Sequence, residues 1–493
     1  MKRMAAARKI TPAPHHGHVP TEVYATGMLR MLRVTPLLCV SATVCCLATY
    51  AAAGGRVAER DDANWPQWRG PGGLGVAAAT DYVEEWGPGK NIAWKTPIAG
   101  RGLSSPVVWG DRVFLTTAIQ GEQVPGRTAP EHLDFERKPG YLHPDSVGVD
   151  YKHALKVMAI DARSGKLLWE RTAYDGLMYD NRHRRNTYAS PSVATDGQLV
   201  YAFFEAAGLY AYDMNGKLVW KRAPALKDGN FIWRDSLGPI AKAGLGPGTS
   251  PILFENTLIL QIDQEMGDGS AILALDKKTG KEVWRTNRTT RRSWATPLLV
   301  RTPERMELIA SGAEVVISYD PKTGRELWRS RGMQSHPIPS PVAGHGLVFL
   351  TAGSGAKRTI AFKPGVNGDA TAENVVWAYD KGAPYVPSPL LLGQYLYIMN
   401  ERGLTTCFDA LTGAVKYEGG RPPGPATFMA SMVGFGDRIL QMSEDGDTYV
   451  LKAGPVHEVL RTNSLGEPIY ASPALAGGTI YVRGEQHLFA IRK

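Results

Sequence analysis

The chain has 493 residues, 43 % hydrophobic and 21 % charged, which is enough apolar content for a sizeable core and too little charge for a disordered polyelectrolyte. Its net charge of +9 is unevenly placed: residues 1–53 carry six Lys or Arg against one acid, and the other 440 residues carry 50 basic and 46 acidic groups. The body of the chain therefore lacks the cationic excess of a phosphate-binding surface, and nucleic acid is not an expected partner.

Residues 1–27 are polar, contain Pro and include His15, His16 and His18; they read as an extension upstream of a native start at Met28 or Met31. After Arg30 and Arg33 an apolar run from Pro36 closes in Ala51-Ala52-Ala53. A charged stretch, an apolar stretch and a small-residue cleavage site are the parts of a secretory signal, so residues 28–53 are expected to direct export, to a periplasm or beyond. The run is shorter than the ~20 residues a membrane span needs, and no stable span is expected after cleavage. Cys39, Cys45 and Cys46 lie in that run, which leaves Cys407 alone in the alternating segment Leu404–Phe408, as a buried structural thiol with no disulfide partner. Residues 54–90, with Trp65-Pro66-Gln67-Trp68-Arg69-Gly70-Pro71, form an extended segment expected to pack across one face of the domain that follows.

From residue 91 onward two cassettes alternate. The first is Ser/Thr-Pro, an apolar run, a Gly turn and a second β-rich run, at Ser105-Pro106, Ser190-Pro191, Ser250-Pro251, Thr296-Pro297, Ser340-Pro341, Ser388-Pro389 and Ser472-Pro473, with Ser431-Met432 a degraded copy. The second is Ala/Ser-x-Asp, a Gly turn and a strand closing in Trp, at Trp169, Trp220, Trp284 and Trp328, with worn copies at Trp377, Tyr417 and Leu460. From Pro251 the first cassette steps by 46, 44, 48, 43 and 41 residues, the period of four-stranded propeller blades. The repeated Trp offers large apolar area for sealing one blade against the next. The last unit stops after three strands, and an orphan Trp-ending strand, Asn91–Lys95 with Trp94, precedes the first unit. Joining the two completes an all-β, eight-bladed propeller of four-stranded antiparallel blades over residues 91–493 and removes two exposed sheet edges. Two long steps place insertions at residues 121–153 and 221–246, where scaffolds often carry function.

Inner strands start near one mouth of the channel, so residues just before each Ser-Pro should ring that mouth. Five positions before the Pro stand Arg101, Asn186, Gly246, Arg292, His336, Pro384, Thr427 and Pro468; three before it stand Leu103, Tyr188, Gly248, Trp294, Ile338, Val386, Met429 and Tyr470. With Arg184, Arg185 and Arg291 beside them, Arg101, Asn186, Tyr188, Arg292, Trp294, His336 and Tyr470 combine guanidinium groups with aromatic faces and suit an anionic or planar ligand, or a partner's acidic loop. The same arginines are equally suited to solvation or to pairing with nearby acids. The first insertion gathers His132, Asp134, Glu136, His143, Asp145, Asp150 and His153, whose spacing matches no zinc or calcium loop, and a solvated polar loop is expected. Asp445-Gly446-Asp447 and Asp268-Gly269 read as hairpin turns. Gly-x-Ser-x-Gly, P-loop and His-Glu-x-x-His motifs are absent from the sequence.

The Ala-x-Asp, Gly and Trp cassettes resemble the tryptophan-docking repeats of the pyrroloquinoline-quinone (PQQ) propeller family, which includes quinone dehydrogenases and the propeller lipoprotein of the outer-membrane barrel assembly machinery. The resemblance covers roughly residues 65–493, and the opening Trp65–Pro71 segment is similar to a group of exported, non-catalytic members. It implies an envelope binding scaffold with a protein or anionic partner and no cofactor; the alternative it implies is a PQQ- and calcium-dependent oxidoreductase of an alcohol or sugar. The family enzymes use an adjacent cysteine pair at the quinone, and the one pair here, Cys45-Cys46, lies in the signal. No Cys-x-x-Cys-His is present to hold a haem. The oligomeric state is left open.

Overall fold

A computed structural model describes residues 62–493, apart from 132–139, 141–142, 228–229, 233, 239–244, 247, 265–266, 268, 334–335 and 372. The upstream extension, the signal segment, and His132, Asp134, Glu136 and Asp268 lie outside the described residues.

The period-two, β-branched runs fold as eight antiparallel four-stranded blades. Blade one consists of Val107–Trp109, Arg112–Gln123, Tyr151–Asp161 and Leu167–Leu177; blades two to seven occupy 194–222, 252–287, 298–331, 342–379, 390–420 and 433–464. Blade eight takes Ala474–Ala476, Thr479–Arg483 and His487–Ile491 from the end of the chain and its outer strand, Ile92–Pro97, from the start. The expected closure is present, with Trp94 opposite Ala490 and Pro97 opposite His487. The core is a series of apolar layers between neighbouring blades, such as Phe349, Leu396 and Phe408 between blades five and six.

The Ser-Pro cassette has a direct structural reason. At the start of seven of the eight inner strands one main-chain N–H faces the next blade, and the next blade's hydroxyl accepts it. The amides of Ser105, Ser192, Ser250, Thr296, Ser340, Ser388 and Ser431 donate to the hydroxyls of Ser192, Ser250, Thr296, Ser340, Ser388, Ser431 and Ser472, at 2.8–3.1 Å. The cassette puts Ser190 in this ring; the structure puts Ser192 there, because the blade-two segment carries a hydroxyl on both sides of Pro191 and Ser190 turns back to the Thr187 carbonyl.

The docking tryptophans work at the opposite ends of the blades. The indole N–H groups of Trp94, Trp169, Trp220, Trp284 and Trp377 donate to carbonyls of Ala162, Met214, Lys277, Pro321 and Ala410 in the following blade. Each ring lies on a turn glycine in the left-handed region; at Gly280 (φ 70°) an added Cβ would stand 2.6 Å from Trp220. Trp328 departs from the pattern. It is fully buried, donates to Glu307 Oε2 of its own blade at 2.7 Å, and is covered by a short parallel strand, Gly368–Asp369. The residues after Phe362 in blade five extend back over blade four instead of offering a docking turn.

The segment before the ring straps the tryptophan-docking face. Trp65 exchanges two main-chain bonds with Val108, Pro66 accepts from Thr195, and Val76–Ala77 runs parallel to Val433–Phe435. Gly70 (φ 70°) makes the turn possible, since a Cβ there would meet the Trp65 ring at 2.4 Å. Arg69 is fully buried and donates to the carbonyls of Pro389 (2.7 Å), Leu74 (3.1 Å) and Met432 (3.4 Å); burial without a carboxylate lowers its pKa to about 9.

Candidate functional site

Antiparallel alternation fixes which elements share an end of the ring. Inner strands begin at the mouth, and so does the connection between the second and third strands of a blade. The first insertion makes that connection in blade one; the second joins the outer strand of blade two to the inner strand of blade three. Both insertions therefore rise beside the mouth. Two contacts hold them there: Ser146–Val147 pairs with Arg182–His183, and the Leu245 carbonyl accepts from His183 N and Asn186 Nδ2.

The mouth opens into a cup of about 260 Å³. Its wall is the set of residues three positions before each Pro, seven of the eight: Leu103, Gly248, Trp294, Ile338, Val386, Met429 and Tyr470. Its floor is Trp68, whose indole N–H donates to Ser340 Oγ at 3.1 Å, together with residues of the hydroxyl ring. Trp68 also borders a second cavity on the strapped face and so lies between the two. The rim includes His183, Arg185, Asn186, Tyr385 and Glu401.

Of the nine mouth residues singled out in the sequence, Arg185, Asn186, Trp294 and Tyr470 line the cup. The other five stand around or behind it. Tyr188 is buried and donates to the Asp180 carbonyl at 2.7 Å. Arg101 lies over the Tyr470 ring, 5.9 Å from its centre. Arg184 pairs with Asp145 (3.1 Å), and His336 packs on Trp294. Arg292 lies behind Trp294, 5.0 Å from the ring centre, and forms a buried 2.5 Å ion pair with Glu205. Residues three before the Pro line the cup in seven blades, whereas those five before it belong to irregular connections. Among those five-before residues only Asn186 reaches the cup.

Sequence reasoning missed the charges buried beside the cup. Glu205 sits at φ 50° in the short turn Glu205–Ala207, and burial lifts its carboxyl to about 7 against the pull of Arg292. In the next blade Asp263 and Arg288 form a fully buried pair at 2.9 Å, with Gln261 also donating to Asp263 and burial raising Asp263 to about 6. Charged residues after an apolar strand were the available signal, but such residues usually mark exposed turns. The structure also brings His183 to His143 and Asp145, with one ligand-capable atom of each within 4.8 Å of the others. A metal-bound histidine normally donates its second ring N–H. Here both second nitrogens accept main-chain amides, from Asp145 and Arg185, while Arg184 occupies the carboxylate. The trio latches the first insertion to the mouth.

The quinone and calcium of the resembled dehydrogenases would need free carboxylates and a cysteine pair at the cup. Its only carboxylate, Glu401, already accepts the amides of Tyr385 and Val386, and Glu444 nearby is paired with Arg185 at 2.5 Å. Among the described residues the sole cysteine, Cys407, is buried, and burial raises its pKa to about 12. Among the described residues the cup is thus lined by a single carboxylate, with one oxygen held by main-chain amides, and no adjacent cysteine pair is present, so these residues do not fit that redox centre.

The fold is shared with solved structures at low identity. The chain aligns with quinohemoprotein alcohol dehydrogenase ADHIIG of Pseudomonas putida HK5 at 12 % identity and TM-score 0.57, covering 88 % of this chain and 80 % of that one. The enzyme of Comamonas testosteroni gives 13 %, 0.56, 88 % and 81 %. BamB of Moraxella catarrhalis gives 13 % and 0.48, covering 76 % of this chain and 98 % of that one. No curated protein matches the chain in sequence. The family profile described as outer membrane protein assembly factor BamB matches residues 74–230, 222–335 and 267–427, and the chain belongs to this family of PQQ-like β-propeller repeat proteins.

Proposed function

We propose that this chain is an exported binding scaffold of the cell envelope, which presents one face of a rigid ring to a protein or an anionic envelope component. One observation carries the reading: the aromatic-walled cup and both insertions emerge on the same face, while the opposite face is closed by the Trp65–Ala77 strap. A mostly apolar concavity with a few polar groups at its rim is what a recognition site requires. The family description, an outer membrane assembly factor, supports an envelope setting and a protein partner. No helix among the described residues is long and apolar enough to cross a membrane.

Quinone-dependent oxidation of an alcohol or sugar is the competing reading, and the single carboxylate lining the cup and the lack of a cysteine pair among the described residues weigh against it. Incubating the purified chain with PQQ and calcium decides between them. The scaffold reading expects neither stoichiometric quinone absorbance nor dye reduction with alcohols or sugars; both together would overturn it. Filling the cup with Val386→Trp should abolish capture of any envelope component that the wild-type chain retains. Unchanged capture would move the binding surface away from the cup.

A further inference from the structure

The floor of the cup is a circle of hydroxyls whose bonding capacity is only partly used. Ser250, Thr296, Ser340, Ser388, Ser431 and Ser472 line the cavity and are 2–6 % exposed. Each oxygen accepts one main-chain amide from the preceding blade, and that of Ser340 also accepts the Trp68 indole. None of the six donates its own O–H to any described residue. A hydroxyl carries one donor and two acceptor sites, so each retains a donor at the base of the cup. Accepting an N–H polarises the O–H and strengthens it as a donor.

None of these protons goes to Glu401, the one carboxylate lining the cup, whose Oε1 accepts the amides of Tyr385 and Val386. Above the ring stand Trp294 and Tyr470, and at the rim Arg185 is half exposed. Building on the reading of the cup as a binding site, we infer that it takes a carboxylate-tipped ligand with a body the size of one aromatic ring, the carboxylate resting on the hydroxyl ring and the body against Trp294, Ile338 and Tyr470. Hydrogen bonds to an ionised acceptor are roughly twice as strong as neutral ones, which favours a carboxylate over a neutral tip. A dry cavity of about 150 Å³ holds benzene, so 260 Å³ leaves room for a ring and its acid. Both a free aromatic acid and the C-terminal end of a partner chain carry this chemistry.

Titration calorimetry of the full chain at pH 7 tests the inference with 3-phenylpropionate, its primary amide and indole, and with Gly-Gly-Phe ending in a free carboxylate or an amide. The acid should bind at least tenfold more tightly than its amide. The same preference in the peptide pair identifies a chain terminus as the source, and its restriction to phenylpropionate identifies a small acid. Thr296→Val should erase the preference and Thr296→Ser should keep it. Equal binding of acid and amide, or of indole alone, overturns the hydroxyl anchor while leaving the cup a binding site. A preference that survives Thr296→Val and disappears in Arg185→Ala places the carboxylate at the rim and also overturns it. Binding of none of the probes removes the cup reading itself. If Thr296→Val does not fold, the acid and amide comparison on wild type still decides.

Discussion

The two faces of the ring solve opposite problems with the same repeat. On the strapped face the seams copy one another: an indole lies on a left-handed glycine and donates to a carbonyl of the next blade in five cases. On the mouth face, above the hydroxyl ring, blade ends differ: one carries an insertion, another a buried Glu205 turn, another the Asp263–Arg288 pair. The regular face holds the ring closed, which leaves the mouth face free to hold irregular backbone and buried charge. Mutations on the first face should cost stability, and those on the second should act through pH or ligand.

The largest effect is expected at the seam that breaks the rule. Trp328→Ala removes a fully buried indole and strips one partner from buried Glu307. A loss of about 3–5 kcal/mol is expected from the cavity alone, read from the urea midpoint. Trp377→Ala, whose indole is only partly buried and whose partner is a main-chain carbonyl, should cost clearly less. Equal losses would mean that the Glu307 contact adds nothing to its seam.

Next in size, Gly280→Ala forces a side chain into φ 70° and against Trp220. Left-handed strain of about 1–2 kcal/mol and overpacking of about 1–3 kcal/mol should add. Gly110 has φ 57° but nothing within 4 Å of an added Cβ, so Gly110→Ala should show the strain alone. If the two variants unfold together, the docking contact is looser than its geometry implies.

How much of this was legible follows the same division. The Ser-Pro and Trp cassettes, the closure at Trp94 and the residues three before each Pro are periodic, and period is what a sequence displays. Trp328 carries the same motif as its siblings, so its altered seam was hidden; only the residues after Phe362 in the next blade distinguish it. Ser192 was hidden because its neighbour Ser190 fits the motif as well. Trp68 at the channel floor and Arg69 beneath it lie in a segment with no repeat to set a register. Glu205 and Arg292 meet across 87 residues, a distance that no local pattern encodes.

On the mouth face, Glu205 should make stability depend on pH. Its carboxyl titrates near 7 when folded and in the ordinary carboxylate range when unfolded. Between those values the folded state binds more protons than the unfolded one, so stability falls as pH rises toward 7, and Asp263, raised to about 6, acts in the same direction. His153, held by burial at about 4, works oppositely below its ordinary value. The informative quantity is therefore the difference between wild type and Glu205→Gln, which should shift against wild type by on the order of 1–3 kcal/mol from pH 5 to pH 8. A constant difference would place Glu205 ionised throughout.

The smallest effect separates the faces most clearly. Arg185 is half exposed at the rim, and its pair with Glu444 is screened by solvent, a setting in which ion pairs contribute about 0–1 kcal/mol. Arg185→Ala should leave the urea midpoint nearly unchanged, and the remaining effect should shrink in high salt. The side chain borders a cup whose walls and floor are fixed by the hydroxyl ring, so its removal alters the rim's charge without loosening a seam. A destabilisation as large as that of Gly280→Ala would show that the mouth is held together by its rim charges, and the division of labour between the two faces would fail.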